Sequence, residues 1–343
     1  MILVTGGAGY IGTHTCVALL DKGYEVAVLD NFSNSWPEAL ERVQHITGKK
    51  LRVHRGDVRD RADVVLALRR SEVTAVVHLA GLKAAGDSMA QPLSYYDHNV
   101  GGTLHLVQGM AQCGVRTLVF SSSATVYGKP HSLPYTEAHP LGAANVYGRT
   151  KRVVEDMLRD LHHSDPSWRI AILRYFNPLG AHFSGLIGED PLGTPSNPLP
   201  FVAQAAGGRH GHLDIWRTDY ATHDGTSVRD YLHVDDLAAG HVSALGLLAQ
   251  RPQCVALNLG TGRGVSVREL VAAFERASGQ PVSYAVAPRR EDHMAEYCSD
   301  PAEAWRVMGW KATRDLETIF ADAWRWQKNN PCGYQRAPSV STA

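Results

Sequence analysis

Short apolar runs alternate with longer amphipathic stretches through the first half of the chain. Apolar runs of strand length occur at 2–4, 26–30, 51–54, 75–79 and 117–120. Between them, helical periodicity lies at 13–20, 60–70 and 91–113, and it returns from Tyr147 onward. Regular alternation of strands and helices predicts an α/β fold with a doubly wound parallel sheet and right-handed crossovers.

The pattern changes after Pro178. The strict alternation stops there, and prolines and glycines cluster between 188 and 195. We therefore predict a boundary near 178, with a larger domain over 1–178 and a smaller, mixed α/β substrate lobe over 179–334. A strand at 255–259 and an amphipathic helix at 267–277 are expected in this lobe. The polar residues 335–343 predict a disordered tail.

Composition limits the classes of partner. The 343 residues are 44% hydrophobic and 20% charged, which is typical of a globular protein with one large or two ordinary domains. Lysine plus arginine equals aspartate plus glutamate, at 34 each, so the charge gives no reason to expect nucleic acid or an anionic membrane as a partner. No apolar run approaches the roughly 20 residues of a membrane span, and the N-terminus shows no signal peptide.

The cysteines and histidines show no disulfide or metal pattern. Five cysteines, an odd number without a Cys-x-x-Cys pair, argue against a disulfide framework and a zinc site, and favour a reducing, cytoplasmic location. The 17 histidines, including the adjacent His162 and His163, lack metal-ligand spacing and are expected at the surface. We predict no metal.

A glycine-rich loop follows the first strand. Gly6, Gly9 and Gly12 are spaced as G-x-x-G-x-x-G between an apolar strand and a helical pattern. Glycine allows the backbone to approach a pyrophosphate closely, and the start of the following helix offers free N–H groups and the positive end of its dipole. A tight structural turn is the alternative. The strand and helix on either side favour a dinucleotide site in a Rossmann-type domain.

The ends of the second and third strands carry acids. Asp30 lies eighteen residues after Gly12, where an acid accepts hydrogen bonds from the adenosine ribose and repels a 2′-phosphate. Residues 31–35 contain no arginine or lysine to receive such a phosphate, so we predict NAD rather than NADP. Asp57 follows the third strand, where it either binds the adenine amine or caps the strand end.

Ser123, Tyr147 and Lys151 are the candidate catalytic residues. Tyr147 and Lys151 are four residues apart and share one face of a helix, and Ser123 follows the fifth strand. A fixed ammonium favours the phenolate and predicts a tyrosine pKa below its usual value of about 10. Beside a nicotinamide, such a base would take the proton of an alcohol that gives up a hydride. An ordinary exposed helix pair is the alternative.

Longer segments carry a family resemblance over nearly the whole chain. They include 78–84 (His-Leu-Ala-Gly-Leu-Lys-Ala), 120–128 (Phe-Ser-Ser-Ser-Ala-Thr-Val-Tyr-Gly), 173–178 (Leu-Arg-Tyr-Phe-Asn-Pro) and 228–234 (Val-Arg-Asp-Tyr-Leu-His-Val). Through them the chain resembles the extended short-chain dehydrogenase/reductase superfamily and, within it, the 4-epimerases that interconvert UDP-galactose and UDP-glucose. The related nucleotide-sugar 4,6-dehydratases carry an aspartate–glutamate pair where this chain has Ala124 and Thr125.

The resemblance implies an NAD site made by loops after several strands. Besides the three glycines, the residues implied to line it are Tyr10, Ile11, Asp30, Asn31, Phe32, Ser33, Asn34, Ser35, Asp57, Val58, Leu79, Ala80, Gly81, Leu82, Lys83, Ser123, Tyr147, Lys151 and Phe176. Lys151 would bridge the nicotinamide ribose and tune Tyr147. The family usually has asparagine where this chain has His98, so the cofactor contact at that position differs.

The resemblance also implies a UDP-sugar site. The substrate-binding residues that it implies are Ser123, Tyr147, Asn177, Asn197, Asp214, Ile215, Trp216, Arg229, Arg290 and Tyr297. The two arginines would chelate the diphosphate, and the bulky Tyr297 would restrict the site to sugars without an N-acetyl group. The chain departs from the family pattern at Asp292 and His293, and Pro198 has no N–H to donate.

The reaction implied by the resemblance is a transient oxidation at C4 of the sugar. Tyr147 would take the 4-hydroxyl proton while C4 passes a hydride to bound NAD, and Ser123 would hydrogen-bond the same oxygen. The resulting 4-ketose would turn over and take the hydride back on its opposite face, so NAD ends unchanged. A homodimer is also implied, in which the helices near 91–113 and 147–162 of two copies form a four-helix interface.

Three alternatives stay open. The first is a 4-epimerase of UDP-N-acetylhexosamine or UDP-pentose, and a one-position shift that placed Cys298 at the sugar gate would favour it. The second is a nucleotide-sugar dehydrogenase, which would release NADH. The third is a non-catalytic nucleotide-binding module.

Overall fold

The computed structural model describes residues 1–192, 213–216, 219–287 and 294–335. Its helices are α1 (Tyr10–Asp21), α2 (Pro37–Thr47), α3 (Arg61–Arg70), α4 (Ala85–Ala90), α5 (Pro92–Tyr95), α6 (Gly102–Gln112), α7 (Val146–Ser164), α8 (Val234–Gln250), α9 (Val267–Ser278), α10 (Ala302–Met308) and α11 (Leu316–Asn329). Its strands are β1 (Ile2–Thr5), β2 (Val26–Asp30), β3 (Arg52–Arg55), β4 (Ala75–His78), β5 (Thr117–Ser121), β6 (Arg169–Tyr175), β7 (Asn177–Leu179), β8 (Leu213–Trp216), β9 (Val228–His233), β10 (Cys254–Leu259), β11 (Gly264–Ser266), β12 (Tyr284–Ala287) and β13 (Glu296–Tyr297).

A seven-stranded parallel sheet forms the larger part of the fold. Its strand order is β10-β6-β5-β4-β1-β2-β3, so the order reverses beside β1, between β1 and β4. This arrangement confirms the doubly wound, Rossmann-type prediction. Loops that follow β1 and β4 diverge at the reversal, and the crevice between them at the carboxyl ends of the strands is where such sheets bind ligands.

Apolar side chains cover both faces of this sheet. Along β1, Leu3 packs with α3, α6 and α7 on one face, whereas Val4 packs with α1, α2 and α8 on the other. Both side chains are fully buried. Burial on both faces explains why the strands appear in the sequence as continuous apolar runs rather than as alternating patterns.

The strand predicted at 255–259 lies in a different sheet from the one expected. It forms β10, which pairs in parallel with β6 at the edge of the large sheet, where Leu257 lies beside Leu173. The assignment of this strand to the smaller lobe was therefore wrong. Its apolar pattern indicates a buried strand, but the pattern carries no information about which sheet will bury it. The domain boundary near 178, where the alternation of strands and helices stops, stays a prediction.

The smaller part of the fold is a mixed sheet with helices beside it. β9 pairs in parallel with β7 and β13 and antiparallel with β11, and β8 pairs in parallel with β12. The predicted helix at 267–277 is confirmed as α9, which begins with a capping box between Ser266 and Glu269. It packs against α11, with the rings of Phe274 and Phe320 5.8 Å apart.

The helical stretch predicted at 91–113 consists of three parts. After α5, residues Tyr96–Gly101 form a π-helical turn, and α6 follows. The turn shifts the register of the side chains and turns Asn99 inward, where it is 3% exposed. No helix in the described ranges is long and apolar enough to cross a membrane.

Candidate active site

The glycine loop between β1 and α1 is closely packed. Gly6 has a φ of +69°, and a Cβ atom there would lie 2.8 Å from the backbone nitrogen of Ala80. A Cβ atom on Gly12 would lie 2.2 Å from the carbonyl oxygen of Gly6. Both positions therefore require glycine. No side chain of the described residues caps α1 at Gly9, so the first N–H groups of the helix can face an anion.

Asp30 holds the glycine loop to the loop after β2. Its Oδ2 atom accepts a hydrogen bond from the backbone N–H of Ala8 at 2.9 Å. Its Oδ1 atom accepts from the N–H of Phe32 at 2.9 Å and from the hydroxyl of Ser35 at 3.0 Å. The sequence predicted a contact with ribose at this position and gave no sign of these internal bonds. Asp30 thus fixes two of the loops at which the cofactor is expected.

Asp57 lies within a network of polar contacts. Asn31 Nδ2 donates to Asp57 Oδ2 at 2.9 Å, and the guanidinium of Arg59 donates to both carboxylate oxygens. These bonds hold the pKa of Asp57 well below its usual range. Arg59 also pairs with Asp97 at 2.8 Å. Asp57 therefore fixes the position of Asn31, and its expected contact with the adenine amine stays a prediction.

Asn99 supports the loop after β4, a role that the sequence did not reveal. Its Oδ1 atom accepts from the N–H of Leu82 at 2.8 Å, and its Nδ2 atom donates to the Leu82 carbonyl and to Thr150 Oγ1, both at 3.0 Å. Asn99 thereby ties the loop at 79–83 to α7. The neighbouring His98, by contrast, makes its ring hydrogen bond with the carbonyl oxygen of Ser94 in its own helical segment.

Two expected NAD residues contact the segment at 187–192. Lys83 Nζ forms an ion pair with Glu189 Oε1 at 2.8 Å. The backbone N–H of Leu192 donates to Asn34 Oδ1 at 2.9 Å. This segment therefore lies against the loops that follow β2 and β4.

The remaining expected NAD residues occur at the same edge of the large sheet. They follow a parallel strand or begin α1, and they are Tyr10, Ile11, Ser33, Val58, Leu79, Gly81 and Phe176. The structure thus brings the whole set to the carboxyl edge of the large sheet. Which of their atoms would contact a cofactor stays a prediction.

Ser123, Tyr147 and Lys151 meet at the end of β5. Asn145 caps α7 by accepting a hydrogen bond from the N–H of Gly148 at 2.8 Å, so the helix begins just before Tyr147. The Ser123 hydroxyl lies beside the Tyr147 phenol and accepts hydrogen bonds from the N–H and the hydroxyl of Thr125 at 3.2 and 3.0 Å. Lys151 Nζ donates to the Ser121 carbonyl oxygen at 2.8 Å and lies 5.9 Å from the centroid of the Tyr147 ring. All three predicted residues therefore belong to one cluster.

The pKa of Tyr147 differs from the sequence-based expectation. Burial raises the pKa of Tyr147 to about 12, although the nearby Ser123 hydroxyl lowers it. The prediction of a pKa below 10 was wrong because the desolvation of a buried phenolate outweighs this lowering effect. Burial also lowers the pKa of Lys151 to about 8, and the carboxylate of Glu155 opposes this decrease.

Arg229 is the described arginine that fits a diphosphate site best. It lies on β9, beside the strand β7 that carries Asn177, and its Nη1 atom donates to the carbonyl oxygen of Val228 at 2.8 Å. Burial lowers the pKa of its guanidinium. No aspartate or glutamate among the described residues pairs with Arg229. A partly buried cation without a paired acid is suited to an anionic ligand.

Tyr297 belongs to an aromatic cluster next to Ser123. Its ring lies 4.7 Å from that of Tyr135 and 5.4 Å from that of Phe176, and its hydroxyl donates to the carbonyl oxygen of Ala124. The Cys298 thiol instead contacts the carbonyl oxygen of Ser299. Tyr297, rather than Cys298, is therefore the side chain that reaches the turn after Ser123.

Several expected substrate residues lie outside the described residues. They are Asn197 and Arg290, together with the departures at Pro198, Asp292 and His293. Asp214, Ile215 and Trp216 form β8, which pairs with β12 through the backbone. Residues 336–343, which make up most of the expected disordered tail, also lie outside the described residues.

The histidines are more buried than expected. His14, His78, His233 and His241 are at most 1% exposed, so the prediction of surface histidines was wrong for these four. Each makes a hydrogen bond inside the fold, for example between His78 Nδ1 and Thr5 Oγ1 at 2.7 Å. No group of histidine, cysteine, aspartate and glutamate in the described part of the chain could hold a metal ion.

Known proteins match this chain over nearly its whole length. The profile of the NAD dependent epimerase/dehydratase family matches residues 2–260. The UDP-glucose 4-epimerase of Bacillus subtilis is 55% identical over 336 residues, which are 98% of this chain and 99% of that protein. The crystal structure of UDP-glucose 4-epimerase from Bifidobacterium longum in complex with NAD⁺ and UDP has a TM-score of 0.94 at 48% identity, over 97% of this chain and 99% of that chain. The structure of UDP-glucose 4-epimerase from Stenotrophomonas maltophila with bound NAD and formylated UDP-arabinopyranose has a TM-score of 0.94 at 46% identity, over 96% and 98%.

Proposed function

The chain belongs to the NAD dependent epimerase/dehydratase family and, within it, to the UDP-glucose 4-epimerases, and from this premise we propose that Ser123, Tyr147 and Lys151 carry its reaction. UDP-galactose and UDP-glucose are the substrates. The observation that supports the proposal most strongly is the meeting of these three side chains at the carboxyl edge of the large sheet. Ser123 lies beside the Tyr147 phenol, and the Lys151 ammonium, held by the Ser121 carbonyl oxygen, lies 5.9 Å from the centroid of the Tyr147 ring.

The glycine loop and the polar strand ends fit NAD. Gly6 and Gly12 allow the loop to pack tightly on its own backbone and on Ala80, and the first turn of α1 has no side-chain cap at Gly9, so its N–H groups can face a pyrophosphate. Asp30, with two oxygens that accept bonds and no cation at 31–35, favours a free ribose over a 2′-phosphate. When bound, NAD accepts a hydride from C4 of the sugar and returns it.

Tyr147 moves the proton of the 4-hydroxyl. It accepts this proton when the alcohol is oxidised and returns it when the carbonyl is reduced. A positive charge beside the ring favours the phenolate, since burial raises the pKa of Tyr147 to about 12. Lys151 supplies part of that charge, and the hydroxyl of Ser123 stabilises the same substrate oxygen.

The substrate is held at its UDP end. Arg229, together with Arg290, binds the diphosphate, and this anchor leaves the sugar free to present either face of C4. Asn177 lies on β7, next to the strand of Arg229, and contacts the same end of the substrate. Tyr297 sets the room available for the sugar, because its hydroxyl is fixed to the turn at Ala124.

Proton NMR of purified protein with UDP-galactose tests the function. We expect the anomeric signal of UDP-glucose to grow towards a fixed ratio without added NAD. If UDP-glucose forms only after NAD is added, the proposed reaction stands, but the protein does not retain the cofactor tightly. Accumulation of NADH would indicate a dehydrogenase. Conversion of UDP-N-acetylgalactosamine or a UDP-pentose, but not of UDP-galactose, would reject the assigned sugar.

We also propose that the enzyme acts as a homodimer. Leu93 is 83% exposed on α5, and Leu104 on α6 and Val153 on α7 are also exposed apolar residues. These elements are the ones expected to pair with a second copy, which would cover the apolar side chains. Light scattering behind a sizing column should give twice the mass of the 37.4 kDa chain. A monomer at micromolar concentration would reject this proposal.

The cytoplasm is the proposed location. All five cysteines are free thiols, which fits a reducing compartment. Alkylation of the protein from cell extract, without prior reduction, should label the exposed Cys332. Recovery of Cys332 as a disulfide would argue against this location.

A further inference from the structure

Three consecutive serines at the end of β5 contact successive turns of α7. The Ser121 carbonyl oxygen accepts from Lys151 Nζ at 2.8 Å, and the Ser123 hydroxyl lies beside the Tyr147 phenol. The middle residue, Ser122, donates its hydroxyl to Glu155 Oε1 at 2.6 Å. Each serine is therefore fixed by a different residue of one helix face, since the three partners are spaced four residues apart.

Glu155 is fully buried and uses both of its carboxylate oxygens. Its side chain is 0% exposed. Besides Ser122, it accepts from Arg174 Nη2 at 2.6 Å and from Arg159 Nη2 at 2.8 Å. Arg174 extends the network by donating to Tyr127 Oη at 3.0 Å. A buried carboxylate needs such partners to persist as a charge.

We propose that Glu155 is a positioning residue of the epimerase reaction, which fixes the serine turn through Ser122 and holds the charge of Lys151 through its own carboxylate. This inference rests on the proposed roles of Tyr147, Ser123 and Lys151. Ser122 lies between the two serines that contact Lys151 and Tyr147. Any movement of Ser122 therefore displaces both contacts together.

The charges around Lys151 support the electrostatic part of the proposal. On α7, Glu155 is one turn beyond Lys151 and is the acid whose charge raises its pKa. From β4, His78 faces Lys151, and burial lowers the pKa of this histidine to about 3, so it is neutral in any assay. From β6, Arg174 pairs with Glu155 and the phenol of Tyr175 faces Tyr147. Within this group, Glu155 is thus the acid whose negative charge stabilises the positive charge of Lys151.

The substitution Ser122→Ala separates the positioning role from the charge. It removes the hydrogen bond to Glu155 and leaves the Arg174 ion pair in place. We expect kcat to fall about ten- to a hundredfold, because small displacements of reacting groups are costly, while KM stays unchanged. UDP binding by calorimetry and the thermal midpoint should match those of the wild type. Wild-type kcat in this variant would overturn the positioning role.

Arg159→Gln is the matched control. Arg159 binds the other oxygen of the same carboxylate from a side chain that is 38% exposed, and it does not touch the serines. We expect its kcat to stay within about twofold of the wild type, since partly exposed ion pairs contribute little. A loss equal to that of Ser122→Ala would overturn the proposal, because it would trace the effect to the ion-pair network and not to the serine turn.

Glu155→Gln tests the charge. Because the carboxylate raises the pKa of Lys151, its loss should move the alkaline limb of kcat to lower pH. The uncompensated charge of Arg174 acts in the same direction. In Ser122→Ala the limb should stay at its wild-type position, since the carboxylate remains. If Glu155→Gln lowers kcat equally at every pH, the electrostatic role is wrong.

If Glu155→Gln does not fold, the alkaline limb of kcat is measured in Glu155→Asp instead. This variant keeps the negative charge and should keep the wild-type limb, so a shifted limb there would also reject the electrostatic role. An inactive wild-type protein would reject the proposed function itself.

Discussion

The hydroxyl of Tyr297 is bonded to the carbonyl oxygen of Ala124, the residue directly after Ser123. A side chain from the strand β13, in the smaller sheet, therefore closes one side of the turn that follows Ser123. Its ring also packs on Phe176, which follows β6 of the large sheet. Tyr297 thus joins the two parts of the fold where the sugar is expected.

Replacing Tyr297 should widen the range of sugars. We expect Tyr297→Ser to gain 4-epimerisation of UDP-N-acetylgalactosamine, measured by proton NMR, because the shortened side chain leaves room for an acetamido group. The lost packing should cost about 3 kcal/mol of stability, seen in urea unfolding. Cys298→Ala is the control and should keep the wild-type range. If the Cys298 variant gains the acetylated substrate instead, the gate has been assigned to the wrong residue.

Tyr147→Phe should abolish most of the proton transfer. We expect kcat to fall by about 10²- to 10⁴-fold, the usual contribution of a positioned acid or base. The NAD content of the purified protein should not change, since the ring remains. Tyr95→Phe is a matched control, because Tyr95 packs beside Tyr147 and its hydroxyl bonds the Ala84 carbonyl oxygen. Activity of Tyr147→Phe within tenfold of the wild type would exclude this tyrosine as the main base.

The rate should depend on the protonation of Lys151. Burial lowers the pKa of this ammonium to about 8, so its charge is present below that pH and is lost as the pH rises through it. The phenolate of Tyr147 then loses a stabilising cation, and kcat should decline on the alkaline side. Lys151→Ala should lower kcat at every pH, remove this alkaline limb and reduce NAD retention after gel filtration. Full NAD occupancy in the variant would contradict a contact between Lys151 and the cofactor.

Asp30→Ala should release the cofactor. The substitution removes the bonds to Ala8, Phe32 and Ser35 as well as the expected ribose contact. We expect the affinity for NAD to fall about tenfold or more, since each bond lost from a buried carboxylate costs about 1–3 kcal/mol. Ser35→Ala removes one of the three bonds and should have a small effect. NAD content, measured from the absorbance of the supernatant after acid precipitation, distinguishes the two variants.

The sequence was sufficient to predict five of the seven strands of the large sheet, β1 to β5, and the meeting of Ser123, Tyr147 and Lys151. Strand β2, for example, is buried on both faces, so its apolar run is continuous, and Asp30 stands where the run stops. The proximity of Tyr147 and Lys151 was predictable because two residues four positions apart lie on the same face of a helix. Their meeting with Ser123 followed from the parallel sheet, which collects strand ends at one edge.

Contacts between distant segments could not be predicted in the same way. Asn99 is one polar residue in a helical stretch, and only the π-helical turn directs it to Leu82. Glu155 continues the helix face of Tyr147, but its burial depends on Arg174 from another strand. The raised pKa of Tyr147 likewise reflects burial, and burial is set by the packing of the whole site rather than by its neighbours in the chain.

The position of β10 has a consequence for synthesis on the ribosome. Until residue 259 has emerged, the seventh strand is missing, and β6 presents an unpaired edge to solvent. The apolar surface of α1 is also bare until α8 packs on it. We therefore expect the N-terminal half to fold incompletely without the later segments, and a nascent chain that stalls near 178 to recruit chaperones.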